Sequence, residues 1–431
     1  MSRSKEITLS IATSLDDLSP VALTPEALFG RHCAIVGSSG SGKSWTVARI
    51  VEETSKHRSK IILFDPSGEY ESQHSNIFHT HLGISTRPDA TSVPATVPYY
   101  ELSEVDLIEI FRPTNATQWL KLRAAIKTLK LLHLVPGLAS NGTLSKAQKL
   151  KTPFEQALAA RMTQVDRPES IFNIHKLALQ IELECIDPVR SPTELQYWGG
   201  LNRDDHAACV PLINRIEEVL RTPELNTIFH PTPGPSAFEA IEKLITDSNV
   251  AVLRISLEFL PTTHRVREIV SNALARHILQ MGRSGALVRG PIVLVADEAH
   301  QLFAPRTHPD DRSASVDAFH IIAREGRKYG ITLCIATQRP RDIPDDVLSQ
   351  VGTFVAHRLI GSTDRASIEM ASGSLDAASL ASLASLGPGE ALLLGAGIRD
   401  SRRIKVLPPL TPPISFGPDY QRSWKRLPTK S

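Results

Sequence analysis

Cysteine is scarce in this chain: 431 residues carry four, Cys33, Cys185, Cys209 and Cys334, far apart in sequence. They offer no metal-ligand spacing and no disulfide framework, which excludes a stapled secreted scaffold and suits a reducing cytoplasm. An excess of one charge is lacking too. The formal net charge is +2, so bulk composition draws the molecule to no nucleic acid, and any basic surface must be local. No run of about 18 apolar residues exists, and the N-terminus has no apolar signal core. A soluble, cytoplasmic protein without a membrane span is expected. The chain is long enough for one large domain with insertions, or for two or three domains.

What is present is ordered around Gly37, Ser38, Ser39, Gly40, Ser41, Gly42, Lys43 and Ser44. The stretch fits the phosphate-binding loop G-x-x-x-x-G-K-[ST]. An apolar run, Cys33 to Val36, precedes it and reads as a buried strand. From Trp45 to Thr54, Val47, Ala48, Ile50 and Val51 follow at helical spacing. Small residues let successive backbone N–H groups face phosphate oxygens, and the start of the helix adds partial positive charge. Residues Gly37 to Trp45 are therefore the candidate nucleotide-binding set. Lys43 is expected to reach the β- and γ-phosphates of ATP, and Ser44 to place its hydroxyl on Mg²⁺.

A second motif, Ile292 to Ala296 running into Asp297 and Glu298, has the form of a Walker-B strand. Asp297 is expected to face the Mg²⁺ and Glu298 to orient and deprotonate the attacking water. Strand Ile331 to Ala336 ends in Thr337-Gln338, and Gln338 is the candidate to sense the γ-phosphate or the water. Lys60 to Asp65 is another buried strand, whose end brings Asp65 and Glu69 near the ligand side of an open α/β sheet.

The remaining chain divides by pattern. Residues 1–30 are a short N-terminal segment with one strand near Ile7 to Ile11 and a helix start at Thr24-Pro25. Residues 31–99 and 246–407 form the two parts of an α/β core, and 100–245 is a mainly helical insertion. Residues 408–431 are a Pro-rich basic tail that cannot be helical. From Ile110 to Phe154 there are eight Lys or Arg and no acidic residue, which reads either as a contact for nucleic-acid phosphates or as a solvated helix face. Gly282 is the expected stop of a helix from about Thr263. Arg306, His308 and Arg312 sit in a polar loop that reads either as facing a central channel or as solvated.

Taken together, these pieces resemble the HerA-like ATPases of the HerA/FtsK superfamily. The resemblance rests on Arg31-His32 leading into the phosphate loop, Asp65-Pro66-Ser67-Gly68-Glu69-Tyr70, and Asp297-Glu298-Ala299-His300. It continues through Ala323 to Gly330, Ala336 to Pro340, and Leu348-Ser349-Gln350. It covers about residues 20–410, loosely over 100–245. It implies an α/β, RecA-like P-loop NTPase (ASCE) core that assembles into a homo-oligomeric ring, usually a hexamer. It further implies ATP-driven translocation or unwinding of double-stranded DNA, with a partner nuclease or effector in DNA end processing or antiviral defence. By the same resemblance Arg327 or Arg324 is the arginine delivered to a neighbour's γ-phosphate, and Arg31 matches a basic residue kept beside the nucleotide. The family's N-terminal β-barrel is expected to be truncated, absent or supplied by another chain. A contrasting reading is an ATP-controlled scaffold that activates an effector with little translocation. No Leu-Ser-Gly-Gly-Gln signature supports a transporter ATPase, and no nuclease constellation occurs in the chain.

Overall fold

Apolar runs that alternate between two cores build one sheet. In a computed structural model, residues 6–414 are described apart from 72–75, 86, 88–90, 168–169, 289, 304–317, 374–376, 397 and 399–400. The candidate channel residues Arg306, His308 and Arg312, and the tail beyond residue 414, lie outside the described residues. The strands are β1 (Leu9–Ser14), β2 (Pro20–Leu23), β3 (His32–Val36), β4 (Ile61–Asp65), β5 (Ile77–Gly83), β6 (Val93–Ala95), β7 (Val252–Phe259), β8 (Ile292–Ala296), β9 (Ile331–Thr337), β10 (Val351–His357), β11 (Glu390–Leu394) and β12 (Arg402–Val406). Their order is β2-β1-β12-β11-β10-β3-β9-β8-β4-β7-β5-β6. The eight from β10 to β6 are parallel, and β11, β12, β1 and β2 extend them antiparallel.

Strands covered on both faces need no polar alternation. In β4, Ile62 and Phe64 enter one core while Ile61 and Leu63 enter the other. The helix Lys43–Ser55 packs Val47, Ile50 and Val51 into the second core, together with Leu9, Ile11 and Val406. The first core takes the helices Val266–Arg283 and Ala318–Glu325, and Phe319 meets Phe64 edge-on at 5.6 Å. The insertion helices Glu104–Phe111, Ala116–Leu134, Leu177–Glu184, Arg203–Arg221 and Ala237–Thr246 share that core rather than forming their own. Two of them open with capping boxes, Ser103 with Asp106 and Ser236 with Glu239.

Four readings change. The first thirty residues give two strands, not one, and β1 pairs with β12, so this segment completes the sheet. The last two strands of the sheet on this side, β5 and β6, were not legible, because His79, His81 and Pro94 break the apolar pattern. Gly282 lies inside its helix, where a Cβ would come within 3.0 Å of Tyr329 and Ile331; the helix stops at Ser284 and Gly285, whose φ is +86°. The basic bias of residues 110–154 is partly spent internally. Lys121 pairs with Asp205 at 2.7 Å, Lys146 with Glu184 at 2.7 Å, and Lys130 donates to the Arg167 carbonyl.

Candidate functional site

The phosphate loop leaves β3 where two other strands fix it. Gly37 donates to the Thr337 carbonyl and Ser38 to that of Arg358. Three glycines are needed on steric grounds. A Cβ on Gly37 would meet Ser41 Oγ at 2.5 Å and His357 Cβ at 2.6 Å. Gly40 and Gly42 have φ of +71° and +111°, a region that side chains disfavour. Gly42 is the N-cap of the helix Lys43–Ser55 and brings no side-chain cap, so the first N–H groups stay available to an anion. Beneath the loop, His357 is fully buried. Its Nδ1 donates to the Glu390 carbonyl at 2.8 Å, and its Nε2 takes the Thr46 hydroxyl at 2.7 Å. Burial holds this imidazole down at about 4. The buried Ser41 hydroxyl has no hydrogen-bond partner among the described residues.

The carboxylates arrive from the neighbouring strand ends. Lys43 Nζ donates to Asp297 Oδ1 at 2.6 Å and lies 3.1 Å from Glu298 Oε1. Burial opposes the Lys43 charge, yet the two carboxylates outweigh it and raise its pKa. Tyr70 donates its hydroxyl to Asp297 Oδ2 at 3.0 Å. Asp65 shapes the turn that presents Tyr70, accepting from the N–H groups of Gly68, Glu69 and Tyr70, and is held by Arg254 at 2.7 Å. Glu69 faces the cleft, where burial raises its pKa and the Ser44 hydroxyl bonds to it. Glu298 has φ +44°, a conformation that costs a side chain of this kind about 1–2 kcal/mol. Gln338 Nε2 pins its Oε1 at 2.7 Å, and its Oε2 is buried without a hydrogen bond.

Lys43, Ser44, Glu69 and Gln338 line a cleft of ≈ 580 Å³ with Ser38, Ser39, Gly40, Gly42 and Trp45. Its remaining wall was not foreseen: Pro388, Gly389, Lys405, Val406, Pro408 and Pro413. No motif marks these residues; only the pairing of β11 with β12 brings them there. Tyr70 and His357 also escaped the sequence reading, Tyr70 although its turn was singled out.

The arginines stand elsewhere. Arg31 is exposed at the start of β3, one strand length, roughly 17 Å, from the phosphate loop at its end. Arg324 and Arg327 are exposed just before β9, at the same edge, and Arg327 is close enough to His32 to oppose its protonation. None of the three joins the cleft of its own chain. For Arg31 this corrects its place beside the chain's own nucleotide.

A Mg²⁺ site made by protein alone is not present: among the described residues no three His, Cys, Asp or Glu side chains could hold a metal. The donor set fits a Mg²⁺ that takes one hydroxyl and one carboxylate, with phosphate oxygens and water filling the rest. Ser44 and Asp297 would be those donors. The vacant N–H groups, the partnerless Ser41 hydroxyl and the cradle that a Cβ would fill suit a bound polyphosphate.

A family model described as the central domain of helicase HerA matches residues 10–191, and one described as the HerA-like C-terminal domain matches residues 274–405. A probable helicase of Methanocaldococcus jannaschii is 25% identical over 390 residues, covering 90% of this chain and 64% of that protein. The DNA double-strand break repair helicase HerA of Saccharolobus solfataricus is 24% identical, covering 93% and 68%. The chain thus spans about two thirds of the length of these relatives. Among solved structures, VirB4 of Thermoanaerobacter pseudethanolicus superposes with a TM-score of 0.59 at 14% identity, over 94% of this chain and 97% of that one. The bacterial conjugative coupling protein TrwB gives 0.54 at 15% identity, over 94% and 89%. No helix among the described residues is long and apolar enough to cross a membrane.

Proposed function

We infer that this chain, which belongs to the HerA-like ATPases of the HerA/FtsK superfamily, is an ATP-driven motor on double-stranded DNA. It acts as a homo-oligomeric ring, a hexamer in the simplest form, coupled to a partner nuclease or effector in DNA end processing or antiviral defence. The observation that carries the reading is the convergence of Lys43, Asp297, Glu298 and Gln338 on one glycine-rich loop.

Each residue has a task that its setting supports. Lys43 is held charged by two carboxylates and can transfer that charge to the β- and γ-phosphates. Its departure frees Asp297 to face a cation with Ser44. Mg²⁺, when bound, neutralises charge on the phosphate oxygens. Glu298 keeps one oxygen on Gln338 and one unbonded, so it can orient a water and take its proton at Oε2. The arginine edge cannot act in cis. Arg327, Arg324 and Arg31 lie at the amino ends of the strands, so they serve a nucleotide only on an adjacent subunit. A guanidinium supplied that way raises turnover by ~10³–10⁵ in other NTPases, and it makes hydrolysis depend on assembly.

The test is the ATPase rate of the wild type and Glu298→Gln, each with and without linear double-stranded DNA. A DNA-stimulated rate that vanishes in the variant is expected. A rate indifferent to DNA would sink the motor and leave the ATP-controlled scaffold.

A further inference from the structure

A nucleotide extends beyond its phosphates, and so does the cleft at Lys43. One set of lining residues belongs to the phosphate machinery. The other set, Pro388, Gly389, Lys405, Val406, Pro408 and Pro413, comes from the last two strands and the segment after them. We propose that this second wall, facing Trp45, is the nucleoside-binding side of the site and discriminates weakly between bases. The proposal rests on the nucleotide-binding reading above and deepens it.

The wall is built in register with the phosphate loop. Gly389 donates its N–H to the Ser41 carbonyl at 2.8 Å. A Cβ on Gly42 would fall 2.8 Å from Gly389 Cα, so the loop and the turn touch backbone to backbone. Val406 donates to the Gly389 carbonyl at 2.9 Å, and Lys405 Nζ to the Pro388 carbonyl at 2.6 Å. The segment that follows is tied down three times. Leu407 donates to the Ile11 carbonyl at 2.9 Å, Leu410 to Glu52 Oε2 at 2.6 Å, and Ile414 to the Glu69 carbonyl at 2.8 Å. Pro408 and Pro413 are therefore fixed before any ligand arrives, which lowers the ordering cost of binding. To residue 414, the Pro-rich tail lines the site.

The chemistry of the wall sets its selectivity. Trp45 is 44% exposed although it is large and apolar. With two prolines and a valine it offers flat carbon surface for a base and a ribose. Among the described residues of this wall the only side chain with polar atoms is Lys405, and its ammonium is engaged by Pro388. Telling one base from another requires fixed donors and acceptors left unpaired by the wrong base. Among these residues no other polar side chain is available to read a base edge, so stacking and shape remain, and every base has a stacking face.

The test is calorimetric titration of the full chain with Mg-ATP, Mg-GTP and Mg-tripolyphosphate. ATP and GTP should bind the wild type within about threefold of each other. Trp45→Ala should weaken both nucleotides about five- to tenfold and leave tripolyphosphate unchanged. The double variant Pro408→Gly/Pro413→Gly should also lose nucleotide affinity with tripolyphosphate retained. Unchanged nucleotide affinity in both variants overturns the proposal, as does a parallel loss of tripolyphosphate, since the wall would then only shape the phosphate loop. A preference for ATP over GTP beyond about fiftyfold overturns the weak discrimination. If Lys43→Ala abolishes tripolyphosphate binding while the wall variants do nothing, the nucleotide reading stands without this one. If the wild type binds none of the three, both fall.

Discussion

Lys43 and Lys146 are both buried against carboxylates, and only the first is poised for chemistry. Lys43 meets Asp297 and Glu298 at 2.6 and 3.1 Å, and Lys146 meets Glu184 at 2.7 Å. Lys146 is sealed. Its ammonium also donates to Thr128, lies 4.3 Å from the Phe154 ring centroid, and Gln180 donates to the same Glu184 carboxylate. Lys43 opens onto the ≈ 580 Å³ cleft, beside a Glu298 oxygen that accepts no hydrogen bond and lies 3.4 Å from His300 Nδ1. The balance of charge differs as well. Burial dominates at Lys146 and lowers its pKa, whereas two carboxylates outweigh burial at Lys43 and raise it. A buried ion pair is thus no sign of a site by itself. Access and unsatisfied acceptors separate the two.

The largest break in this comparison should come from Lys43→Met. Nucleotide turnover is expected to fall by at least about a thousandfold, because the phosphates lose the charge that orients them. Thermal unfolding of the unliganded protein should shift little by comparison, since Asp297 keeps Tyr70 and its carboxyl, whose pKa burial already raises, can take up a proton. Wild-type turnover in this variant would remove Lys43 from the site.

Lys146→Met should do the reverse. Stranding Glu184 among buried groups is expected to cost about 3–5 kcal/mol in denaturant unfolding, with turnover per folded molecule kept within about twofold. The pair replacement Lys146→Met/Glu184→Leu should recover most of that loss, because no charge is then left unpaired. A turnover loss in Lys146→Met that the pair replacement fails to restore would place the insertion's ion pair in the chemistry and erase the distinction drawn here.

The two lysines also mark what the sequence could tell. Lys43 was legible because its loop needs glycines at fixed offsets, and Asp297 and Glu298 because an apolar strand must end where its ligand lies. Lys146 looked like one more cation in a stretch without acids; its partner is 38 residues away, and no local spacing encodes that pairing. The same limit explains the wall at Pro388, Gly389 and Lys405, which exists only after β11, β12 and β1 have paired. It also explains Arg31: sequence placed it close to the phosphate loop, and five extended residues carry it to the far edge of the sheet. Buried parallel strands were the easiest elements to read, since their continuous apolar runs need no partner to be recognised. The strands β5 and β6 at one end of the sheet, with His79, His81 and Pro94, were the hardest.

The smallest expected effect concerns the floor beneath Lys43. His357 uses both ring nitrogens while neutral, donating from Nδ1 to Glu390 and accepting at Nε2 from Thr46. A second proton would force the Thr46 hydroxyl to accept and to donate instead to the Gly42 carbonyl, 3.2 Å away, and burial holds the folded-state value at about 4 against an ordinary 6.5. Between those values the unfolded chain binds the proton and the folded chain does not, so stability falls as pH falls from 6.5 towards 4. The loss from this one group reaches at most about 3 kcal/mol. His32, at the arginine edge, repeats the arrangement. Its Nδ1 accepts from Leu333 and its Nε2 donates to Ala323, with a value of about 4 set first by burial. In His357→Gln the acid-side decline between pH 6.5 and 4.5 should be shallower than in the wild type, and His32 should account for a similar share independently. Unfolding curves at the two pH values measure both. If His357→Gln declines as steeply as the wild type, the imidazole already carries its proton in the fold. The floor of the phosphate loop would then be charged, and the contrast between an open, anion-ready Lys43 and a sealed Lys146 would have to include that second cation.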